Sequence, residues 1–331
     1  MGRTLVQKLT STLLATVVSV AVLWWLLDDG ISDELVQAFA AASLLPLVIG
    51  GILAIIIQVI RAWRFAILAT ASLAPPSWAM IGIATKLVVF NFLLPFKLGE
   101  LSFPLLMKRA FATPLSEGAG ILILCRLLDL GVVAAIILVT AAWLLDPMVH
   151  GWSPSVLSVV GIAVLTAPMI LPDRLPGALR LASRWPSIAK IAKTLSNGAE
   201  RMRPIRQRLP IVLLTLSIWI GHALIAWLVV QAIGAAFGLY ATAMASASSN
   251  LAFALPITGI AGLGPPQAAW ATMLNLAGHD WAPAIASALL CHGLLLVTLS
   301  AFGLTFWIAE TLLASPAKSK KSPIFDNQHS A

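Results

Sequence analysis

Runs of apolar residues long enough to cross a lipid bilayer recur along the whole chain of 331 residues. A hydrocarbon core about 30 Å thick needs roughly 20 apolar residues per helix. Six stretches approach or exceed that length: residues 9–27, 36–60, 115–145, 155–171, 211–233 and 281–313. Charged residues make up only 10% of the chain, against about 25% in soluble globular proteins. The sequence therefore excludes a soluble enzyme and predicts an all-α polytopic membrane protein with about six long transmembrane helices.

Two more apolar regions, residues 78–111 and 241–277, are interrupted near the middle by proline and glycine. Each arm of such a region has about 13–17 residues, or roughly 20–25 Å as a helix, which is short for a full crossing. We therefore predict that each region is a re-entrant hairpin, in which two short helices enter and leave the membrane on the same side.

The distribution of basic residues predicts the orientation. Cytoplasmic loops of membrane proteins carry an excess of lysine and arginine. With the N-terminus inside, eighteen of the 21 basic residues lie on the cytoplasmic side, including Arg61 and Arg64. The other three, Lys86, Lys97 and Arg126, lie within apolar segments. The net charge of +8 thus reflects topology and not nucleic-acid binding. We expect a multi-pass protein of the cytoplasmic (inner) cell membrane with both termini cytoplasmic.

We predict a single transmembrane domain over residues 1–316, built from a first repeat (9–145) and a second repeat (155–313). The basic segment 172–210 is read as a cytoplasmic loop. Its amphipathic pieces either lie on the anionic inner leaflet or merely enforce topology. Prolines are expected to cut this loop into short pieces. Residues 317–331 are polar and are predicted to form a disordered cytoplasmic tail.

The two repeats share the order of a span, a broken hairpin and a long span with a polar midpoint. Cys125-Arg126 in the first repeat corresponds to Cys291-His292 in the second. The topology places one hairpin on each side of the membrane, so the repeats are inverted. Inverted repeats with broken helices near the midplane are typical of secondary transporters. We expect the two hairpin tips to face one another around a polar site, because broken backbone is tolerated there only in protein or beside water.

The first tip is suited to an anion. Pro95 ends the incoming arm, Gly99 permits a tight turn, and the next arm begins near Glu100 with free backbone N–H groups. Lys97 adds a full positive charge, and Asn91 could cap or line the tip. The alternative is that Lys97 and Glu100 form an ion pair that only neutralises two embedded charges.

Arg126 and Asp129 are three residues apart and therefore share one face of the next long helix. Arg126 could share the anion while Asp129 orients it, or the two could simply pair with each other. Lys86 is a weaker candidate. Embedded charges are costly and are functional by default.

The second tip follows Pro256 and contains Gly262 and Gly264 before Gln267. Its glycines leave backbone N–H and C=O groups unshielded. His292 could titrate or could serve only as an interhelical hydrogen bonder. The sequence contains no catalytic motif, nucleotide fingerprint or metal-ligand spacing. We therefore expect no enzyme activity, no cofactor and no metal.

These motifs resemble the flippase-like transmembrane domain, which is also the membrane region of lysylphosphatidylglycerol synthases. The resemblance covers roughly residues 10–313, and the motifs that carry it are Asn91-x-x-x-Pro95-x-Lys97-x-Gly99-Glu100, Arg126-x-x-Asp129 and Pro256…Gly262-Leu263-Gly264-x-x-Gln267. Family members typically have arginine where Lys97 stands and glutamate where Gln267 stands. Lysine keeps the charge but lacks bidentate geometry, and glutamine cannot change its protonation state, which argues against a proton-coupled role there.

The resemblance implies a lipid translocase. The lysyl-transfer enzymes of the family append a soluble catalytic domain, and no such domain follows residue 316 in this sequence. The expected substrate is an anionic phospholipid or a lipid-linked head group of the polyprenyl-phosphate or hopanoid type. The alternatives are a secondary transporter of a small anion and a non-transporting scaffold for enzymes of lipid or glycan biosynthesis. The expected partners are accordingly anionic membrane lipids and possible biosynthetic enzymes.

Overall fold

The protein is an all-helical bundle throughout the part of the chain that the computed structural model describes, residues 31–70, 72–144, 153–182, 189, 205–255 and 260–313. Ten α-helices occur in these ranges, namely α1 (Ile31–Ala40), α2 (Leu44–Thr70), α3 (Trp78–Leu93), α4 (Ser102–Phe111), α5 (Leu115–Leu144), α6 (Pro154–Ala182), α7 (Ile205–Ala232), α8 (Leu239–Ala254), α9 (Pro265–Leu276) and α10 (Trp281–Leu313). Short 3₁₀ helices cover Pro95–Leu101, here called the first tip, and Ile260–Gly262, which with the next two residues is called the second tip.

Four helices in the described ranges, α2, α5, α7 and α10, are long and apolar enough to cross a membrane. The described apolar part of α6, Pro154–Ala167, is shorter than a span. The predicted span at residues 9–27 lies outside the described residues. The predicted span at 36–60 was wrong at both ends, because α1 ends at Ala40 and α2 runs from Leu44 to Thr70. Between them the chain turns so that the Ser43 N–H donates to the carbonyl of Ala232, at 2.8 Å.

Proline did not end α6, or delay the start of α7, where the sequence predicted. Helix α6 continues to Ala182, well into the predicted loop, and α7 begins at Ile205 and contains Pro210. A proline removes one backbone hydrogen bond of a helix, and the bonds on either side of it are enough to continue the helix past that residue. The extension of α6 is tied to α7 by Arg208, which donates to both oxygens of Asp173 at 2.9 and 3.0 Å. Most of residues 183–204 and the tail 317–331 lie outside the described residues.

Both broken regions fold as two short arms around a tip. Helices α3 and α8 have 16 residues each, about 24 Å, whereas α4 has 10 and α9 has 12. Each first arm ends at an extended leucine, Leu94 or Leu255, and proline follows both in the sequence. The clash between a proline ring and the preceding residue explains both breaks. The arm lengths fit re-entrant hairpins, and the inverted arrangement of the repeats stays a prediction.

Small residues allow the long helices to approach closely. Helix α2 packs along α7, where a side chain on Gly221 would meet Ile57 at 2.8 Å. Helix α8 packs against both α9 and α5. Close packing of small residues is the usual basis of helix association in membranes. This packing brings the two tips within contact distance of each other.

Candidate functional site

A cavity of about 410 Å³ lies where the two hairpins meet the long helices, and we call it the central cavity. Helices α2, α3, α5, α7, α8, α9 and α10 and the first tip all contribute to its wall. Seven residues singled out from the sequence line it: Asn91, Lys97, Glu100, Arg126, Asp129, Gln267 and His292. Side chains from both predicted repeats are therefore gathered at one place.

Asp129 is held chiefly by Arg64, which the sequence analysis had placed on the cytoplasmic side. The Arg64 guanidinium donates to the two carboxylate oxygens at 2.6 and 3.0 Å, and the Trp219 indole N–H donates at 3.1 Å. Arg126 approaches Asp129 only to 3.7 Å. The predicted Arg126–Asp129 pair is therefore present as a long contact, while the main partner of Asp129 is a closer and better buried arginine from another helix. Arg64 is 1% exposed.

Glu100 of the first tip pairs with Arg126 of α5, with 2.8 Å between the arginine Nε and the carboxylate. The alternative of a Lys97–Glu100 pair was therefore wrong in its choice of partner. The pair is only half-buried, with 39% of the Arg126 side chain and 29% of the Glu100 side chain exposed. This contact ties the first tip to α5 at the edge of the cavity.

Lys97 turns towards the second hairpin instead. Its backbone is left-handed, with φ of 57°, which is uncommon for a residue other than glycine and costs about 1–3 kcal/mol. This conformation places the ammonium group 3.1 Å from the centre of the Phe253 ring on α8. A lysine over an aromatic face forms a cation–π contact, which tolerates a positive charge without neutralising it.

Arg61 also lines the cavity, although the sequence had placed it on the cytoplasmic side. Among the described residues, its guanidinium makes two long contacts, 3.4 Å to the Gln58 amide oxygen and 3.4 Å to Nε2 of His222. The signal was available in the sequence. Apolar residues continue after Arg64 through Phe65-Ala66-Ile67-Leu68, so α2 extends beyond both arginines and embeds them.

The charges in the cavity do not balance. Both carboxylates, Asp129 and Glu100, are bound by Arg64 and Arg126 respectively. In the ranges that the structure describes, neither Arg61 nor Lys97 has a carboxylate within ion-pair distance. Charges embedded in a membrane protein cost at least about 2.5 kcal/mol each, and are almost always paired. The site therefore has two basic side chains, Arg61 and Lys97, without a carboxylate partner and available to an anionic ligand.

Two residues that line the cavity, Gln267 and His292, each form a hydrogen bond with the backbone of the second tip. The Gly264 N–H donates to the side-chain oxygen of Gln267 at 2.7 Å, which caps the start of α9. Nε2 of His292 lies 2.8 Å from the carbonyl of Ala261, so this nitrogen carries the proton and donates. Both side chains thus fix the shape of the tip. The contact of His292 matches the predicted alternative of a hydrogen bonder between elements, and its titration stays a prediction.

The glycines of the tips do not line the cavity. Their role is to let the backbone of the tips pack closely against its neighbours. A Cβ on Gly99 would lie 2.5 Å from the backbone nitrogen of Asn91, and one on Gly262 would lie 2.3 Å from the Phe253 ring. Gly262 also has φ of 70°, which disfavours any other residue. Pro95 begins the first tip, as predicted for a structural turn. Pro256 lies outside the described residues.

Lys86 does not line the cavity. Its ammonium pairs with the Glu310 carboxylate near the end of α10, at 2.5 Å. Spacing along the sequence did not indicate Glu310 as a partner, since 224 residues separate the two. The pair joins the first arm of the first hairpin to the last long helix, which is a structural role. Within the described ranges, no group of three histidine, cysteine, aspartate or glutamate residues could hold a metal ion.

The family model for the lysylphosphatidylglycerol synthase transmembrane region matches residues 12–303. This range contains every residue of the central cavity. No curated protein and no solved structure matches the chain.

Proposed function

Because the chain belongs to the family of the lysylphosphatidylglycerol synthase transmembrane region, we propose that it moves the anionic head group of a lipid between the leaflets of the cytoplasmic membrane. The observation that carries this proposal is the pair of uncompensated positive charges, Arg61 and Lys97, in a cavity between two broken helices. Broken helices around a polar midplane site are the means by which secondary transporters bind charged substrates.

The binding step follows from the contacts of the two cations. Arg61 makes only long hydrogen bonds and Lys97 rests on an aromatic ring, so both can turn towards a phosphate with little loss. Arg126 is the third cation in the wall, and a phosphate could share it with Glu100. Hydrogen bonds from arginine and lysine to phosphate are charge-assisted and are about twice as strong as neutral ones. The head group would thus exchange its hydration for these contacts.

The transport step rests on the contact between the hairpins. The Lys97–Phe253 contact joins the first tip to the first arm of the second hairpin, beside the cavity. When Lys97 binds an anion instead of the ring, this contact is lost and the hairpins are free to separate. In the proposed topology the hairpins enter from opposite sides, with both termini cytoplasmic, so separation of either one exposes the site to one leaflet. The acyl tails remain in the lipid throughout.

Orientation belongs to this proposal as well. Removing the embedded Arg61 and Arg64 from the count leaves sixteen basic residues on the cytoplasmic side. The positive-inside rule still favours the same orientation, since the predicted outer loops contain no lysine or arginine.

The proposal is tested with purified protein in phosphatidylcholine liposomes that contain a trace of phosphatidylglycerol with a fluorescent acyl tail. Reduction of the outer-leaflet label by a membrane-impermeant reagent measures movement between leaflets. We expect wild-type protein to accelerate movement, and Arg61→Gln to slow it. Arg109→Gln removes the same charge from the exposed end of α4 and should have no effect.

Two results would argue against lipid movement. Release of entrapped sulfate or phosphate without movement of labelled lipid would favour a small-anion transporter with the same cavity. Movement of neither, together with co-purification of an enzyme of lipid or glycan biosynthesis, would favour a scaffold.

A further inference from the structure

We infer that the central cavity selects a doubly charged phosphate group, as in a phosphomonoester or diphosphate lipid, over the singly charged phosphodiester of ordinary phospholipids. This inference rests on the proposed function and names the substrate class of the same site. It follows from the charge balance, from the number of cations that reach the cavity, and from the neutral groups beside them.

With Arg61 and Lys97 both protonated, the charge balance requires two negative charges. Glu100 and Asp129 each have an arginine of their own, at 2.8 and 2.6 Å. Arg61 and Lys97 remain, and among the described residues no third carboxylate reaches either. A phosphodiester carries one negative charge and would leave one cation embedded and unpaired. A phosphomonoester carries close to two negative charges above its second pKa of about 6, so it compensates both cations.

The number of cationic side chains in the cavity also fits a phosphomonoester. Arg61 comes from α2, Lys97 from the first tip and Arg126 from α5, so three cationic side chains reach the cavity from three separate elements. A terminal phosphate has three oxygens free of ester bonds, whereas a phosphodiester has two. Each cation can therefore take a separate oxygen of a terminal phosphate. The exposed part of Arg126, 39% of its side chain, keeps it accessible despite the Glu100 pair.

The remainder of the cavity is suited to the group that follows the phosphate. Ser246, Ser249 and Asn250 of α8 line it and provide neutral hydrogen-bonding groups. These residues add no negative charge that would compete with the ligand. A volume of about 410 Å³ lies within the range of about 300–1,000 Å³ that holds ligands of drug size. The cavity therefore has room for a phosphate and the first part of the attached lipid.

The test compares two lipids with identical labelled acyl tails, phosphatidic acid as the monoester and phosphatidylglycerol as the diester, in phosphatidylcholine liposomes at pH 8. At this pH a monoester with a second pKa of about 6 is a dianion. Protein-free liposomes give the spontaneous rate of each lipid. We expect the protein to move the monoester at least about tenfold faster than the diester. This factor is the effect of one additional charge-assisted contact of about 1.5 kcal/mol.

Charge variants separate selection from general loss of function. Lys97→Gln or Arg61→Gln leaves one uncompensated cation, so each should lower the monoester rate more than the diester rate and bring the ratio towards one. Lys108→Gln removes a lysine from the exposed end of α4 and should keep the wild-type ratio. Because the readout is a ratio within one preparation, a variant that is partly misfolded does not imitate the effect.

The outcomes distinguish this inference from the proposed function. Equal rates for the two lipids, with both accelerated, would overturn the selection of a dianion and leave lipid movement intact. A monoester preference that survives in Lys97→Gln and Arg61→Gln would also overturn it. Movement of neither lipid would overturn the proposed function itself. Release of entrapped inorganic phosphate without lipid movement would show that the dianion is a soluble one, which overturns the lipid assignment.

Discussion

Replacing Asp129 by asparagine should destabilise the bundle more than replacing Arg126 by glutamine. Asp129 accepts two hydrogen bonds from the buried Arg64 and one from Trp219, so the substitution removes the only carboxylate within ion-pair distance of Arg64 in the described ranges. Asparagine has nearly the same shape, so packing around the site is preserved. The loss of stability therefore measures the contribution of the negative charge on Asp129.

The structure gives the relative magnitudes. Removing one partner of a buried ion pair costs about 3–5 kcal/mol, because the other charge stays buried without compensation. Arg126 is half-exposed and lies 3.7 Å from Asp129, and exposed pairs contribute about 0–1 kcal/mol. Its closer pair with Glu100 is half-exposed too. Arg126→Gln should therefore cost about 1 kcal/mol, several times less than Asp129→Asn.

Thermal unfolding in detergent, followed by the fraction of protein that remains monodisperse, measures the difference. With an unfolding entropy of about 2.1 cal/mol/K per residue over 331 residues, a loss of about 3 kcal/mol lowers the melting temperature by about 4 °C. Arg64→Met combined with Asp129→Leu removes both charges and should recover most of the stability. An Arg126→Gln variant as unstable as Asp129→Asn would refute the reasoning, since it would make Arg126 the main partner of Asp129.

Gly99→Ala should abolish lipid movement in the liposome assay and lower thermal stability, because its Cβ would lie 2.5 Å from the backbone nitrogen of Asn91. Gly293→Ala, where nothing lies within 4 Å, is the matched control, and equal effects of the two would contradict a steric cause. For topology, a cysteine at Asp280 should react with an impermeant thiol reagent added to intact cells, while one at Lys193 should not. Labelling of Lys193 from outside would reverse the orientation, and with it the sides that the hairpins enter.

The sequence was sufficient for the membrane class and for most element bounds. Helix α10 has the predicted bounds, and α5 ends one residue before its prediction. The breaks after Leu94 and Leu255 also fell where expected. These features are local, because apolar length decides whether a helix can span a bilayer and proline acts on the residue beside it. Proline was misleading only at α6 and α7, where the surrounding helix outweighed one lost hydrogen bond.

Only the tertiary structure decided how the embedded charges are paired. The sequence offered partners three residues apart, whereas the observed partner of Asp129, Arg64, is 65 residues away, and that of Lys86 is 224 residues away. The energy of an ion pair depends on the distance between the charges and on the dielectric around them, and neither follows from spacing along the chain. Helix packing sets both. For this reason the sequence could identify Lys97 and Arg126 as embedded cations. The apolar run after Arg64 indicated that Arg61 is embedded as well, and only the packing of α2 showed that Arg61 reaches the cavity.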